Sequence, residues 1–142
     1  MRDENLVGRW DTGPYDYGVM ESGWLALRGD GTGWSAWANV GGGSVSRLTW
    51  SSCGDAGTGV LELRYTWTAT GDWSPGTPPT LTRVDEEGPD DTVLCTRYTV
   101  SVRTPPLAQA PATTLHLAKA VECAHDFALV TREVEPSDPA GR

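Results

Sequence analysis

Apolar and polar residues alternate with a period of two along most of the chain, which is typical of β-strands with one buried face. The clearest case is Val60 to Ala69, in which Leu61, Leu63, Tyr65 and Trp67 fall on one side and polar residues on the other. The alternation predicts an amphipathic strand whose apolar side, Trp67 included, faces the core.

Glycine-rich turns separate the predicted strands. Residues 29–33 read Gly-Asp-Gly-Thr-Gly and predict a hairpin turn, because glycine readily adopts a positive φ. Residues 85–91 are acidic and predict a loop, and only residues 118–124 suggest a turn of helix. Short strands at regular spacing predict an all-β barrel or sandwich.

Two motifs resemble those of lipocalins. Gly8-Arg9-Trp10 opens the first predicted strand, and Arg132 follows Phe127 to Val130 in the last. In lipocalins a basic residue after the last strand packs across the Trp of the Gly-X-Trp motif. The resemblance implies a lipocalin-like (calycin) antiparallel up-and-down β-barrel of eight strands (eight to ten), of the small bacterial type. It gives Gly8, Trp10 and Arg132 structural roles.

Closure of such a barrel requires an even strand count. Leu81–Val84 suggests a short strand, but eight strands result if it is treated as loop. The last strand then ends beside the first, with Arg132 near Trp10. The opposite, open end is expected to carry these side chains around its mouth: Tyr15, Tyr17, Trp73, Cys123 and His125.

Length and charge narrow the function classes. With 142 residues, a single domain is expected, over residues 1–135, with 136–142 as a flexible tail. A formal charge of −8 argues against nucleic acid and anionic membrane surfaces as partners. We see neither a secretory leader nor a membrane-spanning apolar run, so we expect a cytoplasmic protein.

The sequence indicates no metal and no cofactor. Its three cysteines stand apart and its two histidines are too few for a Cys/His zinc site. The acidic run at 85–87 lacks the spacing of a calcium loop. We find no nucleotide-binding fingerprint and no nucleophile motif.

Seven tryptophans against one phenylalanine are the unusual feature of the composition. Their pattern is compatible both with core packing and with an aromatic-lined cavity. Trp34 and Trp37 are three positions apart on one strand, so one of them must lie outside, where it would mark a homodimer face. The candidate ligand-binding residues on the inner faces are Trp50, Leu63, Tyr65, Trp67 and Tyr98.

The leading hypothesis is the binding of a small, largely apolar or aromatic molecule inside the barrel. One alternative is a small cyclase or isomerase acting on a natural-product intermediate, with His125, Tyr98 and Tyr65 as catalytic candidates. Asp126 beside His125 would orient the imidazole, although adjacent strand residues face opposite sides. Another alternative is a protein–protein interaction or inhibitor module with a solid core. His116 is expected on the surface.

Overall fold

The computed structural model describes residues 2–15, 21–74, 80–106 and 108–141. Within these ranges the chain forms a short 3-10 helix, Glu4–Leu6, and nine β-strands. The strands are β1 (Gly8–Asp11), β2 (Glu21–Leu27), β3 (Thr32–Asn39), β4 (Gly42–Cys53), β5 (Thr58–Ser74), β6 (Thr80–Pro89), β7 (Val93–Arg103), β8 (Ala112–Val121) and β9 (Ala124–Thr131). The helical turn expected at 118–124 is instead the end of β8 and its turn into β9.

The sheet closes on itself. Successive strands pair antiparallel except for β6 and β7, which both pair with β5. β5 also pairs with β4, and β1 pairs with β9. The result is a closed eight-stranded antiparallel barrel with one extra strand, β6. The predicted all-β, eight-stranded barrel is therefore confirmed. The 3-10 helix and the β2–β3 turn lie at the closed end, and the β8–β9 turn lies at the open end.

The extra strand corrects the predicted loops. β6 pairs with residues 67–74 of β5, and β7 pairs with residues 58–64 of the same strand. The two strands thus follow one line along β5, interrupted at 90–92. The loop expected at 85–91 is wrong, because residues 85–89 lie in β6. Residues 81–84, which the strand count treated as loop although they suggested a short strand, belong to the same strand. The even strand count holds nonetheless, since β6 and β7 occupy one place in the barrel wall.

The half of the barrel toward the closed end, called the lower half from here on, is filled with large apolar side chains. The fully buried members are Leu6, Trp10, Leu25, Leu27, Leu61, Leu63, Leu115, Leu117 and Phe127. The 3-10 helix closes the barrel because Leu6 belongs to this core. The Leu6 carbonyl also accepts a hydrogen bond of 2.9 Å from Trp10 Nε1.

The residues of the Gly-X-Trp motif have clear physical tasks. Gly8 has a φ of +153°, and a Cβ there would lie 2.8 Å from the Thr131 carbonyl oxygen. Only glycine fits this backbone without strain. The Arg132 guanidinium carbon lies 5.6 Å from the centre of the Trp10 ring. Arg132 Nη1 also donates to two backbone carbonyls of the N-terminal segment, at 2.6 and 2.9 Å.

A β-bulge in β5 changes which residues face the core. Arg47 pairs with Trp67, but the next residue, Leu48, pairs with Tyr65, so Thr66 is extra. Tyr65 packs against the inner core, whereas Trp67 belongs to a cluster outside the barrel and lies 4.2 Å under the Arg47 guanidinium. The expectation that Trp67 faces inward is wrong, because the extra residue reverses the alternation.

The C-terminal segment packs against the outside of the barrel. We call residues 133–141 the strap. The Arg28 side chain donates to two strap carbonyls at 2.8 and 3.1 Å, and Arg47 forms an ion pair of 2.6 Å with Asp138. These contacts place 136–141, the described part of the segment expected to be a flexible tail, against the barrel wall, and its flexibility stays a prediction.

The strap covers an apolar cluster on the outer face of the barrel. Its buried members are Trp24, Ala26, Trp34, Ala36, Val45, Ala69, Leu81 and Ala140. Trp34 lies outside the barrel, in agreement with the parity argument. It is only 3% exposed because the strap lies over it, so it offers no free face to a second copy. A homodimer stays a prediction.

Candidate functional site

Most of the residues expected to line a ligand cavity lie in the filled lower half. Leu63 is fully buried, and Trp50 and Tyr98 are 3% and 2% exposed within the same core. Their polar atoms have partners, because Trp50 Nε1 donates to the Arg28 carbonyl at 2.8 Å. These side chains close the base of the barrel and have little surface to offer a ligand.

Tyr98 illustrates this closing role. Its hydroxyl donates to the Asp3 carboxylate at 2.7 Å, and the Gly57 N–H donates to the same oxygen at 2.6 Å. Burial, the bond to Asp3 and the charge of Asp3 raise the pKa of Tyr98. Partial burial works to raise the pKa of Asp3, but the hydrogen bonds from Tyr98, Gly57 and Asn5 outweigh it and lower that pKa. The pair therefore fixes the N-terminal segment and holds the tyrosine as a neutral phenol.

The interior changes character toward the open end, in the part called the upper half from here on. Ser35 is fully buried, and the Ser46 hydroxyl donates to the Thr68 hydroxyl at 3.1 Å. The inward residues of this half are Gly23, Ser35, Trp37, Ser46, Tyr65, Thr68 and Glu122. They are small, hydroxylated or charged, and only Trp37 and Tyr65 are large. The upper half of the interior therefore has both unfilled volume and polar groups that face it.

Glu122 is the central group of the upper half. It lies in the two-residue turn between β8 and β9, where Glu122 and Cys123 have φ values of +50° and +63°. Such a turn usually carries Asn-Gly, because residues with a side chain are strained at positive φ. The turn directs the carboxyl inward, where Oε1 accepts a hydrogen bond of 2.8 Å from the Ser35 hydroxyl. Burial raises the pKa of Glu122, and the Ser35 bond only partly opposes this.

Tyr65 shares this environment. Burial and the nearby charge of Glu122 raise the pKa of Tyr65 to about 12, against a smaller opposing effect of a hydrogen bond with Ser35. Ser35 thus lies between a carboxyl that resists ionisation and a phenol that stays protonated. This arrangement can donate hydrogen bonds, accept them, and transfer a proton at the carboxyl.

A cleft of about 330 Å³ opens beside Glu122 at the mouth of the barrel. Trp37 forms one wall, and its Nε1 donates to Glu21 Oε2 at 2.9 Å. The other lining residues are Thr12, Tyr15, Ser22, Gly23, Cys123, Ala124, His125 and Asp126. Of the predicted mouth residues, Tyr15, Cys123 and His125 line it, Trp73 belongs to the outer cluster, and Tyr17 lies outside the described ranges.

The expected acid–base pair forms with a different histidine. Asp126 Oδ1 lies 2.8 Å from His116 Nδ1 and 3.1 Å from Arg103 Nη1. His125 Nδ1 instead lies 2.8 Å from the Leu117 carbonyl oxygen. Cross-strand pairing brings Asp126 opposite His116. His125 is therefore a rim residue of the cleft, and the His116–Asp126 pair lies on the outer face.

Sequence reasoning did not single out Glu122, Ser35 or Glu21 as site residues. A glutamate between two predicted strands is normally a solvated turn residue, and a lone serine in a strand carries no signal. The stretch Val121-Glu122-Cys123-Ala124 has no glycine or asparagine to mark a tight hairpin, so the strained turn had no sequence signal.

Within the described residues, no group of three or more His, Cys, Asp or Glu side chains is arranged to hold a metal ion. None of the helices in that part of the chain has the length and apolar character needed to cross a membrane. The closed antiparallel barrel is compatible with a calycin-like fold. Comparisons with protein-family models, with curated proteins and with solved structures find no match.

Proposed function

We propose that this protein binds a small organic molecule at the open end of the barrel, in the cleft beside Glu122. The proposal rests on the Glu122 carboxyl. A strained turn directs this carboxyl into the barrel, and among the described residues only the Ser35 hydroxyl forms a hydrogen bond with it. A buried carboxyl with spare acceptor capacity is costly for a fold and useful for a ligand. The resemblance to lipocalins adds a fold-level analogy.

The lining of the cleft favours a ligand with a flat apolar part and an amine. Glu21 and Glu122 contribute two carboxyls, while the only basic side chain lining the cleft in the described ranges is His125. Trp37 offers an aromatic face, which attracts both flat rings and cations. The filled lower half forms the floor below the ligand. The ligand class is therefore a small aromatic amine rather than a purely apolar molecule.

The test is a titration of the ¹⁵N-labelled protein with benzylamine, observed at the indole N–H signals. We expect the Trp37 signal, assigned by its absence in Trp37→Phe, to move on binding. Glu122→Gln should weaken binding about tenfold, the scale of one hydrogen bond to a charged group. Glu62→Gln is the matched control, because Glu62 lies on the outer face of β5 and pairs with Arg64. A Trp37 signal that stays still at millimolar benzylamine would refute the proposal.

A second candidate function is proton-transfer catalysis, as in an isomerase or cyclase of natural-product intermediates. The raised pKa of Glu122 favours it, because a carboxyl that titrates nearer neutrality is a better proton donor and acceptor. The test is deuterium exchange at the carbon next to the carbonyl of a small cyclic ketone in D₂O, followed by NMR. Deuterium exchange that the protein accelerates, and that Glu122→Gln abolishes, would favour catalysis. Exchange at the uncatalysed rate would rule out this second function and leave ligand binding as the only proposed one.

A further inference from the structure

A second cavity, of about 590 Å³, lies outside the barrel between its outer wall and the strap. Trp34 and Arg9 line it from the barrel wall, and Val134 and Pro139 line it from the strap. Arg9 on β1 pairs with Ala26 on β2, which pairs with Trp34 on β3. Because the alanine side chain is short, a depression remains on the outer surface between the Arg9 and Trp34 side chains. The strap passes over this depression.

Both barrel-wall side chains bring a buried hydrogen-bond donor without a partner. Trp34 is 3% exposed, yet its Nε1 makes no hydrogen bond. Arg9 Nε is likewise buried and unpaired. A buried donor without a partner is unfavourable for the fold, because it has lost its hydrogen bonds to water. Trp24 Nε1 and Trp73 Nε1 also lack partners, but Arg9 and Trp34 are the two that line this cavity, where a single bound group can meet both donors.

The charge arrangement identifies that group. The neighbouring arginines are engaged, since Arg28 holds strap carbonyls and Arg47 pairs with Asp138. Arg9 forms no ion pair with any carboxylate of the described residues, although Glu133 and Glu135 also line the cavity. These two glutamates are exposed at the rim, where they would repel a multiply charged anion. A ligand with a single negative charge therefore suits this outer cavity better than one with several.

We propose that this outer cavity binds a small planar monocarboxylate with an aromatic body. The carboxylate accepts hydrogen bonds from Arg9, whose planar guanidinium matches it in shape, and from the Trp34 indole N–H. The aromatic body packs against the Trp34 ring and Val134 under the strap. This site lies on the opposite side of the barrel wall from the proposed amine site, and neither proposal depends on the other.

The experiment uses Trp34 and Trp37, which lie on opposite faces of β3. The ¹⁵N-labelled full chain is titrated with 2-naphthoate, and its neutral amide, 2-naphthamide, serves as a second probe. We expect the Trp34 indole signal, assigned with Trp34→Phe, to move with 2-naphthoate while the Trp37 signal stays in place. The amide should bind at least about tenfold more weakly, because it lacks the charge that Arg9 meets.

Variants separate a specific site from general anion attraction. Arg9→Gln should weaken naphthoate binding about tenfold or more, and Arg9→Lys should fall between, because lysine keeps the charge but loses the planar fork. Arg97→Gln is the matched control, since Arg97 is an exposed arginine on the far side of the barrel. The dispersion of the amide spectrum verifies that each variant is folded. A motionless Trp34 signal, equal binding of acid and amide, or equal effects of Arg9→Gln and Arg97→Gln would each overturn the proposal.

Discussion

The lower and upper halves of the barrel interior are built from different kinds of side chain. In the lower half, leucine, phenylalanine and tryptophan side chains fill the space. Their polar atoms form hydrogen bonds within the protein, as Trp50 Nε1 does with the Arg28 carbonyl. In the upper half, hydroxyls and a carboxyl surround an open cleft, and the nearest turn is strained at Glu122 and Cys123. The comparison indicates that apolar packing and buried polar groups are separated along the barrel axis.

The two halves also respond to pH in opposite directions. The folded pKa of Asp3 at the closed end is lowered, so its contribution to stability is present above its unfolded pKa and is lost as the pH falls. The folded pKa of Glu122 at the open end is raised, so its contribution is present below its unfolded pKa and is lost as the pH rises through the folded value. One carboxyl stabilises the fold when ionised and the other when protonated.

The largest expected effect tests whether the lower half is solid. Leu63→Ala should reduce the free energy of unfolding by about 2–5 kcal/mol, because it removes a fully buried side chain from a packed core. Chemical denaturation measures the loss. Ser46→Ala in the upper half is the comparison, with an expected loss below about 1 kcal/mol. Similar losses in both halves would contradict the division.

A smaller effect is expected at the motif that closes the barrel. Gly8→Ala should cost about 1–3 kcal/mol, since alanine would be strained at a φ of +153° and would crowd the Thr131 carbonyl. Gly29→Ala is the control, because a Cβ at Gly29 meets nothing within 4 Å. We expect a change within about 0.5 kcal/mol there. An equal cost for both variants, measured by thermal or chemical unfolding, would argue against a special role for Gly8.

Asp3→Asn at the closed end should reduce the free energy of unfolding, and the reduction should depend on pH. At neutral pH we expect a loss of about 1 kcal/mol, the usual scale for a weakened hydrogen-bond pair. The loss should shrink as the pH falls from the unfolded pKa of an aspartate through the lower folded pKa of Asp3, below which the native Asp3 is itself protonated. Unfolding curves recorded across the acid range give the result. A loss that is constant with pH would show that the charge of Asp3 is unimportant.

The open end should show the reverse. Glu122→Gln keeps an acceptor for Ser35 and removes a charge that is costly to bury, so it should stabilise the protein at neutral pH by about 1 kcal/mol or less. The gain should vanish in acid, because the native carboxyl is then protonated. Glu62→Gln, on the outer face, should change little at either pH. A destabilised Glu122→Gln at neutral pH would contradict the raised pKa.

The alternation of residue types predicted an all-β barrel or sandwich, and the resemblance to lipocalins led from there to the closed eight-stranded barrel. Leu61 and Leu63 face inward as expected, and the even strand count holds. The prediction failed for Trp67 because a bulge at Thr66 has no sequence signature here, with neither glycine nor proline to mark it. It failed for β6 because that strand is exposed and acidic, so its residues resemble a loop.

The candidate site was less accessible to sequence reasoning. Aromatic residues on inward positions suggested a cavity, but the alternation cannot tell whether the space between them is filled. Tyr65 was identified, whereas its neighbours Ser35 and Glu122 come from strands distant along the chain and meet only after closure. The strap was missed for a similar reason, since its few apolar residues become significant only against the outer tryptophans.

The single extra residue at Thr66 has a consequence for how such a barrel can evolve. Deleting it would restore the alternation of β5 and turn Trp67 and Ala69 from the outer cluster toward the interior. One codon lost or gained would therefore exchange an outer surface that packs under the strap for part of the interior wall. We therefore expect related barrels whose interiors are lined by different residues to differ by insertions or deletions at this position more than by substitutions.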